Sequence, residues 1–524
     1  MLDDLVALGA FGPKRDCTKR IRAFEAAWAR LQSEVPGWPQ DPVDRQFQAA
    51  LMSWLRFHRA ILIGELVPEA LRFLRNNPAA TGRSAFDHVI VDEYQDLNKA
   101  EQDLIDLLAG QGSTAIVGDV DQSIYRFRHA NPEGIEVFEQ QHPTTHDETL
   151  DECRRCPTSV VSISDHLIRH NHPGIASPRL QPKAGNPAGQ VSIVQWAGIP
   201  EEGHGLAAYV QSLISGGRCS PRDILILTPR RLLGYGIRDR IAESGIAVHS
   251  FYHEEALESD AAQRAFALLS LLVDPEDRVA LRWWLGDGSP SSRRNAYQRL
   301  RQHCETTGSS PRAALEAVNG GTLVLPRIGQ LVGKYRELNE LVNGFDGLSP
   351  AQVVDALLPA GNDDCGVWRE VATLALPRLE SVEDLFDRIK THITQPEMPE
   401  EGEFVRVMSL HKSKGLTSKV AIIAGCTEGL IPFRADGLPQ AEQDAVVQEQ
   451  RRLFYVAITR CTEILVLSSA ARMERQLAWK IGARVHAGRS ALGNTIASRF
   501  LDELGSTAPA PRAGDDWAAS GYPP

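Results

Sequence analysis

His88-Val89-Ile90-Val91-Asp92-Glu93-Tyr94-Gln95-Asp96 ends a β-branched, apolar run abruptly in two adjacent carboxylates. Buried parallel strands have this form when they deliver functional groups at their carboxyl ends. The pattern recurs at residues 114–117 before Gly118-Asp119, at 224–227 before Thr228, and at 420–423. A further run, 464–467, follows a helical stretch over about 448–459. Strands alternating with helices predict α/β layers. The runs fall into two clusters, one around 86–130 and one split between 150–275 and 404–470, so two α/β cores are expected, with a largely helical insertion inside the second.

The insertion reads as helices because Leu281-Arg282-Trp283-Trp284-Leu285, Ala313-Ala314-Leu315 and residues 331–342 repeat apolar positions at helical spacing. The Trp pair is read as packing rather than as a cofactor box. Residues up to Leu74 are also helical in pattern. After Leu504 the Ala-Pro and Gly-Tyr-Pro-Pro segments lack periodicity and predict a flexible tail.

Over 524 residues, 43% are hydrophobic and 23% charged, an ordinary globular mixture with material for several cores. The net charge of −11 means that a nucleic-acid partner must be held by a local basic groove rather than by overall charge. No apolar run approaches the roughly 20 residues that span a bilayer, and the start, Met1-Leu2-Asp3-Asp4, is acidic. A cytoplasmic protein with no membrane partner is expected. The eight cysteines are scattered, and only Cys153 and Cys156 have metal-like spacing, without a second pair nearby. Reduced thiols are the expectation.

An apolar strand ending in adjacent carboxylates can place one in a magnesium shell while the next orients or deprotonates a water that attacks a phosphate. Asp92 is then the metal-side group and Glu93 the base. Acidic residues also terminate strands simply by being soluble, so the pair is informative only in company. Downstream, Gly118-Asp119-Val120-Asp121-Gln122-Ser123-Ile124-Tyr125-Arg126-Phe127-Arg128 again leaves a strand. A neutral amide at Gln122 can sense a terminal phosphate or its attacking water. Tyr125 and Phe127, interleaved with Arg126 and Arg128, combine flat faces with positive charge, as sites for unstacked single-strand bases do. The plain alternative is an aromatic pair buried against a neighbouring core.

These segments belong to an ordered series that resembles the UvrD/Rep/PcrA family of superfamily-one DNA helicases. The series runs from Asp92-Glu93-Tyr94-Gln95-Asp96 through 118–130 to Leu150-Asp151-Glu152-Cys153-Arg154-Arg155-Cys156. It continues with residues 405–433, which contain His411-Lys412-Ser413-Lys414-Gly415-Leu416, and ends with 449–460. The resemblance implies two RecA-like parallel-sheet cores, the first N-terminally truncated, with helical subdomain insertions. The implied boundaries are a remnant helical subdomain (1–80), a partial first core (81–145), the second core in two parts (146–280 and 401–504), the helical insertion (281–400) and the tail (505–524).

The resemblance also implies roles. Asp92 and Glu93 take the places of the magnesium ligand and the water-activating base, and Gln122 that of the γ-phosphate sensor. Arg155 and Arg460 stand where two arginines reach the γ-phosphate, each an always-charged fork suited to spreading transition-state charge. Tyr125 and Phe127, with Arg128, take the place of the base-stacking group. His411 and the turn at Gly415, which permits close backbone approach, resemble the motif joining nucleotide to DNA. For Tyr455 a core position and a ligand contact are equally open. ATP and Mg2+ are the implied cofactors, and single-stranded and partly duplex DNA the implied partners.

Three departures stand out. Cys153-Arg154-Arg155-Cys156 replaces the family's usual Asn-Tyr-Arg-Ser, and Thr417 stands where Glu often contacts the nucleotide sugar. No Gly-x-x-x-x-Gly-Lys-[Ser/Thr] phosphate loop occurs. The nearest string, Gly329-Gln330-Leu331-Val332-Gly333-Lys334-Tyr335, has the wrong spacing and lies in the helical insertion. The chain is therefore expected to begin partway through the first core, leaving its sheet short. A second polypeptide or further upstream sequence would supply the loop. The expected activity is that of an ATP-dependent 3′-5′ DNA helicase or translocase in repair or recombination. The alternative is a catalytically inactive single-strand-binding or adaptor relative. A carboxyl-terminal nuclease is not expected, since no acidic-lysine cluster follows Arg460.

Overall fold

The structure, a computed structural model, describes residues 1–83, 85–110, 112–174, 178–251, 259–360, 365–394 and 402–522. The chain divides into two compact units, each assembled from segments distant in sequence.

The first unit, residues 1–85, 99–110 and 253–397, is helical. Its helices start at strong local signals. Asp41 accepts hydrogen bonds from the amides of Val43 and Asp44 ahead of helix Pro42–His58, and Asp277 caps Arg278–Gly286 in the same way. Ser310 precedes Pro311–Asn319, and Ser349 forms a capping box with Gln352 ahead of Pro350–Leu357. An oxygen cap followed by proline satisfies orphan amides and presets the first helical φ. The apolar faces meet around buried Trp284, whose indole donates to Lys334 O at 3.1 Å, so this tryptophan is packing. The Gly329–Lys334 string lies within helix Gly329–Gly344, where Lys334 pairs with Glu337 at 2.9 Å.

A buried polar network stitches this unit. Arg282 donates to Asp4 (2.5 and 2.9 Å) and lies over the Tyr297 ring at 4.4 Å. The Trp54 indole also donates to Asp4, at 2.9 Å. His58 Nδ1 is 2.7 Å from Trp54 O, where it can only donate, which leaves Nε2 to accept the Tyr297 hydroxyl at 2.8 Å. Burial holds this imidazole down at about 3, so it is neutral.

The second unit, residues 86–98, 111–252 and 398–524, contains a seven-stranded sheet. Its spatial order is Arg512–Ala513, Gln190–Trp196, Cys461–Ala470, Ser418–Ile423, Ile224–Thr228, Val405–Ser409, Val248–Ser250, and all neighbours are parallel. Leu225, Leu227, Ala421, Ile423, Leu465 and Leu467 face helices Thr158–Arg169 and Gln440–Ile458. The alternate residues Ile224, Ile226, Val420, Ile422, Ile464 and Val466 face helices Ile199–Ser215 and Arg231–Glu243. Covering both faces is what turns each strand into an unbroken apolar run.

The tail departs from expectation. Arg512–Ala513 extends the sheet beside Gln190–Trp196, and helix Gly514–Ala519 seats buried Trp517 against Tyr209 (4.7 Å) and Trp196 (6.3 Å between ring centroids). Gly514 is required there, because an added Cβ would lie 2.1 Å from the Trp196 ring. One tryptophan supplies an anchor that the Pro- and Ala-rich composition hides.

His88–Val91 pairs in parallel with Ser113–Ile116, in register His88↔Ser113, as a separate two-stranded sheet. The run expected to be a buried parallel strand is half open: Ile90 is 78% exposed. Each strand has one partner among the described residues, so its apolar side chains lack the cover that the larger sheet provides. All eight cysteines are free thiols. Among the described residues no helix is long and apolar enough to cross a membrane.

Candidate functional site

The second unit ties Asp92, Glu93 and Gln122 of the expected site residues into one hydrogen-bonded lattice. At the end of His88–Val91 the chain turns sharply. Glu93 has φ +54°, and its amide donates to Asp92 Oδ1 at 2.8 Å. Tyr94 N–H donates to Val117 O at 3.0 Å, tying the turn to the neighbouring strand's end. Gln95, fully buried, donates to Glu93 Oε2 at 2.5 Å and accepts from the Asp119 amide at 3.0 Å. Gly118 leaves room for this, since a Cβ there would sit 2.5 Å from Gln95 Oε1. Asp119 then accepts from the Asp121 amide and from the Gln122 side chain, both at 2.9 Å. Burial pushes the Asp119 carboxyl up, with the Gln122 hydrogen bond opposing. The Gln122 amide thus rests on Asp119, and a relay runs from Glu93 through Gln95 and Asp119 to Gln122.

Lys414 joins this lattice from the other side of the sequence. Its buried ammonium lies 2.5 Å from Asp96, 3.2 Å from Glu93 and 2.9 Å from the Gln122 carbonyl, and 5.5 Å above the Tyr125 ring. Burial raises the Asp96 carboxyl and Lys414 counters it. Lys414 brings the 411–415 turn to the carboxylates, with Gly415 at φ +79° allowing the chain to reverse. Neither Gln95 nor Lys414 was assigned a role on sequence. Both lie inside the quoted motifs, but only spatial proximity shows what they do.

Arg460 is 2% exposed and spends its donors on neutral groups: Nε to Val456 O at 2.7 Å, Nη2 to Thr459 Oγ1 at 3.2 Å and Nη1 to Leu416 O at 3.4 Å. Burial first, and then the like charge of Arg155, lower it to about 10. Arg155 Nε is itself buried without a hydrogen-bond partner. Two neighbouring guanidiniums, neither with an ion-pairing carboxylate among the described residues, form a strongly electropositive locus. Cys156, between them, donates its thiol to Thr459 O at 3.2 Å. Tyr455 is buried in the core beside them.

The aromatic pair lies next to the lattice. Tyr125 and Phe127 meet edge-on at 5.8 Å, Phe127 meets His411 at 6.0 Å, and Arg128 lies over Tyr125 at 5.7 Å. Phe127 remains 65% exposed. With His411 it lines a cavity of about 350 Å3 at the carboxyl ends of Ile224–Thr228 and Val405–Ser409, completed by Arg230, Leu430 and Phe433. Arg230 and Phe433 were not anticipated. Burial lowers the His411 imidazole, leaving it a neutral hydrogen-bonding group. The interior reading of the pair holds for Tyr125, which packs on the core, but not for Phe127.

The carboxylates Asp92 and Glu93 suit a hard cation that keeps water and substrate oxygens as its other ligands. Among the described residues no cluster of three or more His, Cys, Asp or Glu side chains could hold a metal alone.

Residues 26–143 match the UvrD/REP helicase N-terminal domain, and residues 378–472 the UvrD-like helicase C-terminal domain. The ATP-dependent DNA helicase UvrD1 of Mycobacterium leprae is 28% identical over 473 residues, covering 79% of this chain and 60% of that protein. The ATP-dependent DNA helicase PcrA of Staphylococcus epidermidis (strain ATCC 35984) is 25% identical over 473 residues, covering 84% and 60%. PcrA of Bacillus subtilis is 25% identical over 442 residues, covering 78% and 57%. The chain thus spans about 60% of the length of the curated relatives it matches. With both domain models matched in chain order and a mixed α/β fold around a large parallel sheet, the chain is similar to the UvrD-like superfamily-one helicases.

Proposed function

We propose that this chain carries the hydrolysis-and-coupling half of an ATP-driven 3′-5′ DNA translocase that acts on single-stranded DNA in repair or recombination. The observation behind the reading is the Glu93–Gln95–Asp119–Gln122 relay, which Lys414 joins to the aromatic pair. Asp92 would hold the magnesium ion that arrives with the nucleotide, and that ion would neutralise phosphate charge. Glu93 takes a proton from the attacking water, its free oxygen kept in line by Gln95 and Lys414 on the other. Arg155 and Arg460 offer their forks to the terminal phosphate, exchanging weak carbonyl contacts for charge-assisted ones. As they do so, Gln122 can leave Asp119 for the phosphate, and the shift is felt at Tyr125 through Lys414. Phe127 and the adjoining cavity grip a base by stacking, without reading its identity.

The 524 residues contain no phosphate loop. Turnover is accordingly proposed to need that element from further sequence or from a second polypeptide, and the chain alone should hydrolyse little ATP. The direct test is single-strand-stimulated ATP hydrolysis by a preparation that includes the loop. Glu93→Gln should cut the rate by at least about 100-fold, the lower end of what a general base supplies, while leaving DNA binding close to wild type. The missing loop also favours a second reading, a non-catalytic DNA-binding relative. That reading predicts no stimulated hydrolysis from the loop-containing preparation, and complementation in the cell indifferent to Glu93→Gln.

A further inference from the structure

The turn that carries Arg155 also carries two thiols that the proposed reaction leaves unused, Cys153 and Cys156. Both are free. Cys153 ends the short strand Glu152–Cys153 at 9% exposure, and Cys156 is fully enclosed. The Cys156 amide donates to Cys153 Sγ at 3.4 Å, and that nitrogen is separated from its own sulfur only by Cα and Cβ. The turn is clamped in this shape from outside. Asn186 Nδ2 donates to the carbonyls of both cysteines, Cys153 O at 2.7 Å and Cys156 O at 2.9 Å, and the Lys183 amide donates to Cys153 O at 3.0 Å. Strand Gln181–Pro182 pairs in parallel with Glu152–Cys153. A Cys-x-x-Cys turn whose two carbonyls share one donor keeps its sulfurs close together, as a disulfide requires.

The two thiols are not alike. Cys156 has one thiol hydrogen and two acceptors in reach, Thr459 O at 3.2 Å and the Cys153 sulfur. The hydrogen bond from Cys156 first, and with it the Cys156 and Arg155 amides and the Arg155 charge, outweigh burial and hold the Cys153 thiol well below the ordinary range. The same contact, with burial, pushes Cys156 up. Cys153 is therefore the nucleophile, nearest the surface, and Cys156 the partner beneath it. Cys219 is more open to solvent, but burial pushes its thiol up.

We propose that Cys153 and Cys156 form a reversible disulfide site, oxidised by hydroperoxides and reduced by dithiols. The Cys153 thiolate attacks the outer peroxide oxygen. An S–O bond forms, the O–O bond breaks, and the alkoxide leaves and takes up the proton that Cys153 had released to solvent. Cys156 then attacks the Cys153 sulfur: the S–S bond forms, the S–O bond breaks, and hydroxide departs with the Cys156 proton as water. The two thiols lose two electrons, and the hydroperoxide becomes an alcohol and water. A dithiol reverses this by exchange and is itself left as a disulfide. Closure removes the hydrogen that Cys156 offers Thr459 O and ties together the residues flanking Arg154 and Arg155. The assignment goes beyond the proposed turnover and does not depend on it.

The test uses the full chain, reduced, desalted, treated with cumene hydroperoxide near neutral pH, blocked with N-ethylmaleimide and digested with trypsin without reductant. Trypsin cuts after Arg154 and Arg155, so the reduced chain yields residues 129–154 and 156–169 as separate peptides. From the oxidised chain they should be recovered joined, lighter by two hydrogens, and dithiothreitol should part them. Cys153 should leave the reduced pool at least about 10-fold faster than Cys219, since thiolate character and not exposure sets the rate. In Cys156→Ser, dimedone should label Cys153 as the stranded sulfenic acid, and in Cys153→Ser, Cys156 should stay reduced. Separate peptides from the oxidised wild-type chain, Cys219 reacting first, or a bond from Cys156 to Cys461 would each overturn the site. The wild-type peptide map decides this whether or not a serine variant folds.

Discussion

The second unit holds two parallel sheets built from the same kind of sequence run, and they are stabilised in opposite ways. In the seven-stranded sheet, every residue of Ile224–Thr228 is buried and successive side chains enter two helix-covered cores. In the His88–Ser113 pair, alternate residues face solvent, and order at the strand ends comes from Gln95, Asp119 and Lys414. Packing holds the first and a polar lattice holds the second. The chemistry-bearing carboxylates sit on the second, where geometry can change without disturbing a close-packed core.

The sharpest way to break this comparison is to truncate one isoleucine in each sheet. Ile226→Ala should cost about 4 kcal/mol in urea unfolding, whereas Ile90→Ala should cost less than about 0.5 kcal/mol. Equal costs would mean that the pair is packed after all. Next in size, Lys414→Met should destabilise the polar lattice by about 2 kcal/mol. That is less than the ~3–5 kcal/mol of a fully buried pair, because Glu93 is partly open to solvent. Adding Asp96→Asn should recover part of the loss, since the carboxylate left behind is then gone, and a double-mutant cycle reads the coupling.

The smallest expected effect tests Glu202, an acid buried on helix Ile199–Ser215 in the large sheet's own cover. Glu202 accepts from Ser468 Oγ at 2.6 Å and Gly425 N–H at 3.1 Å, and burial raises its carboxyl above the usual range. A raised folded value means that the folded state keeps a proton the unfolded chain has released. This contribution is complete below about 4.5 and is lost as pH rises through the folded value. Glu202→Gln should therefore gain stability relative to wild type as pH rises above about 4.5, seen as melting temperatures that shift in the variant's favour.

The strand ends were legible because a parallel strand writes its burial into four or five consecutive residues. Gln190–Trp196 was missed because Gln190, Ser192 and Gln195 break its apolar run, although Ser192 is itself buried. The carboxylates and arginines were legible as residue types in ordered motifs. Gln95 and Lys414 act across 24 and 318 positions of sequence, through hydrogen bonds that no local pattern encodes. The exposure of Ile90 was equally unreadable, since it depends on which strands lie alongside rather than on the run itself.

The strand next to the edge of the large sheet has a consequence for biosynthesis. Gln190–Trp196 takes its neighbours from Cys461–Ala470 and Arg512–Ala513, both made much later. On the ribosome this segment emerges with both of its hydrogen-bonding edges bare, one until residues 461–470 have been made and the other until residues 512–513 have been made. The nascent chain must therefore be shielded until residues 512–513 have been made, and a polypeptide released before then would carry an adhesive flank.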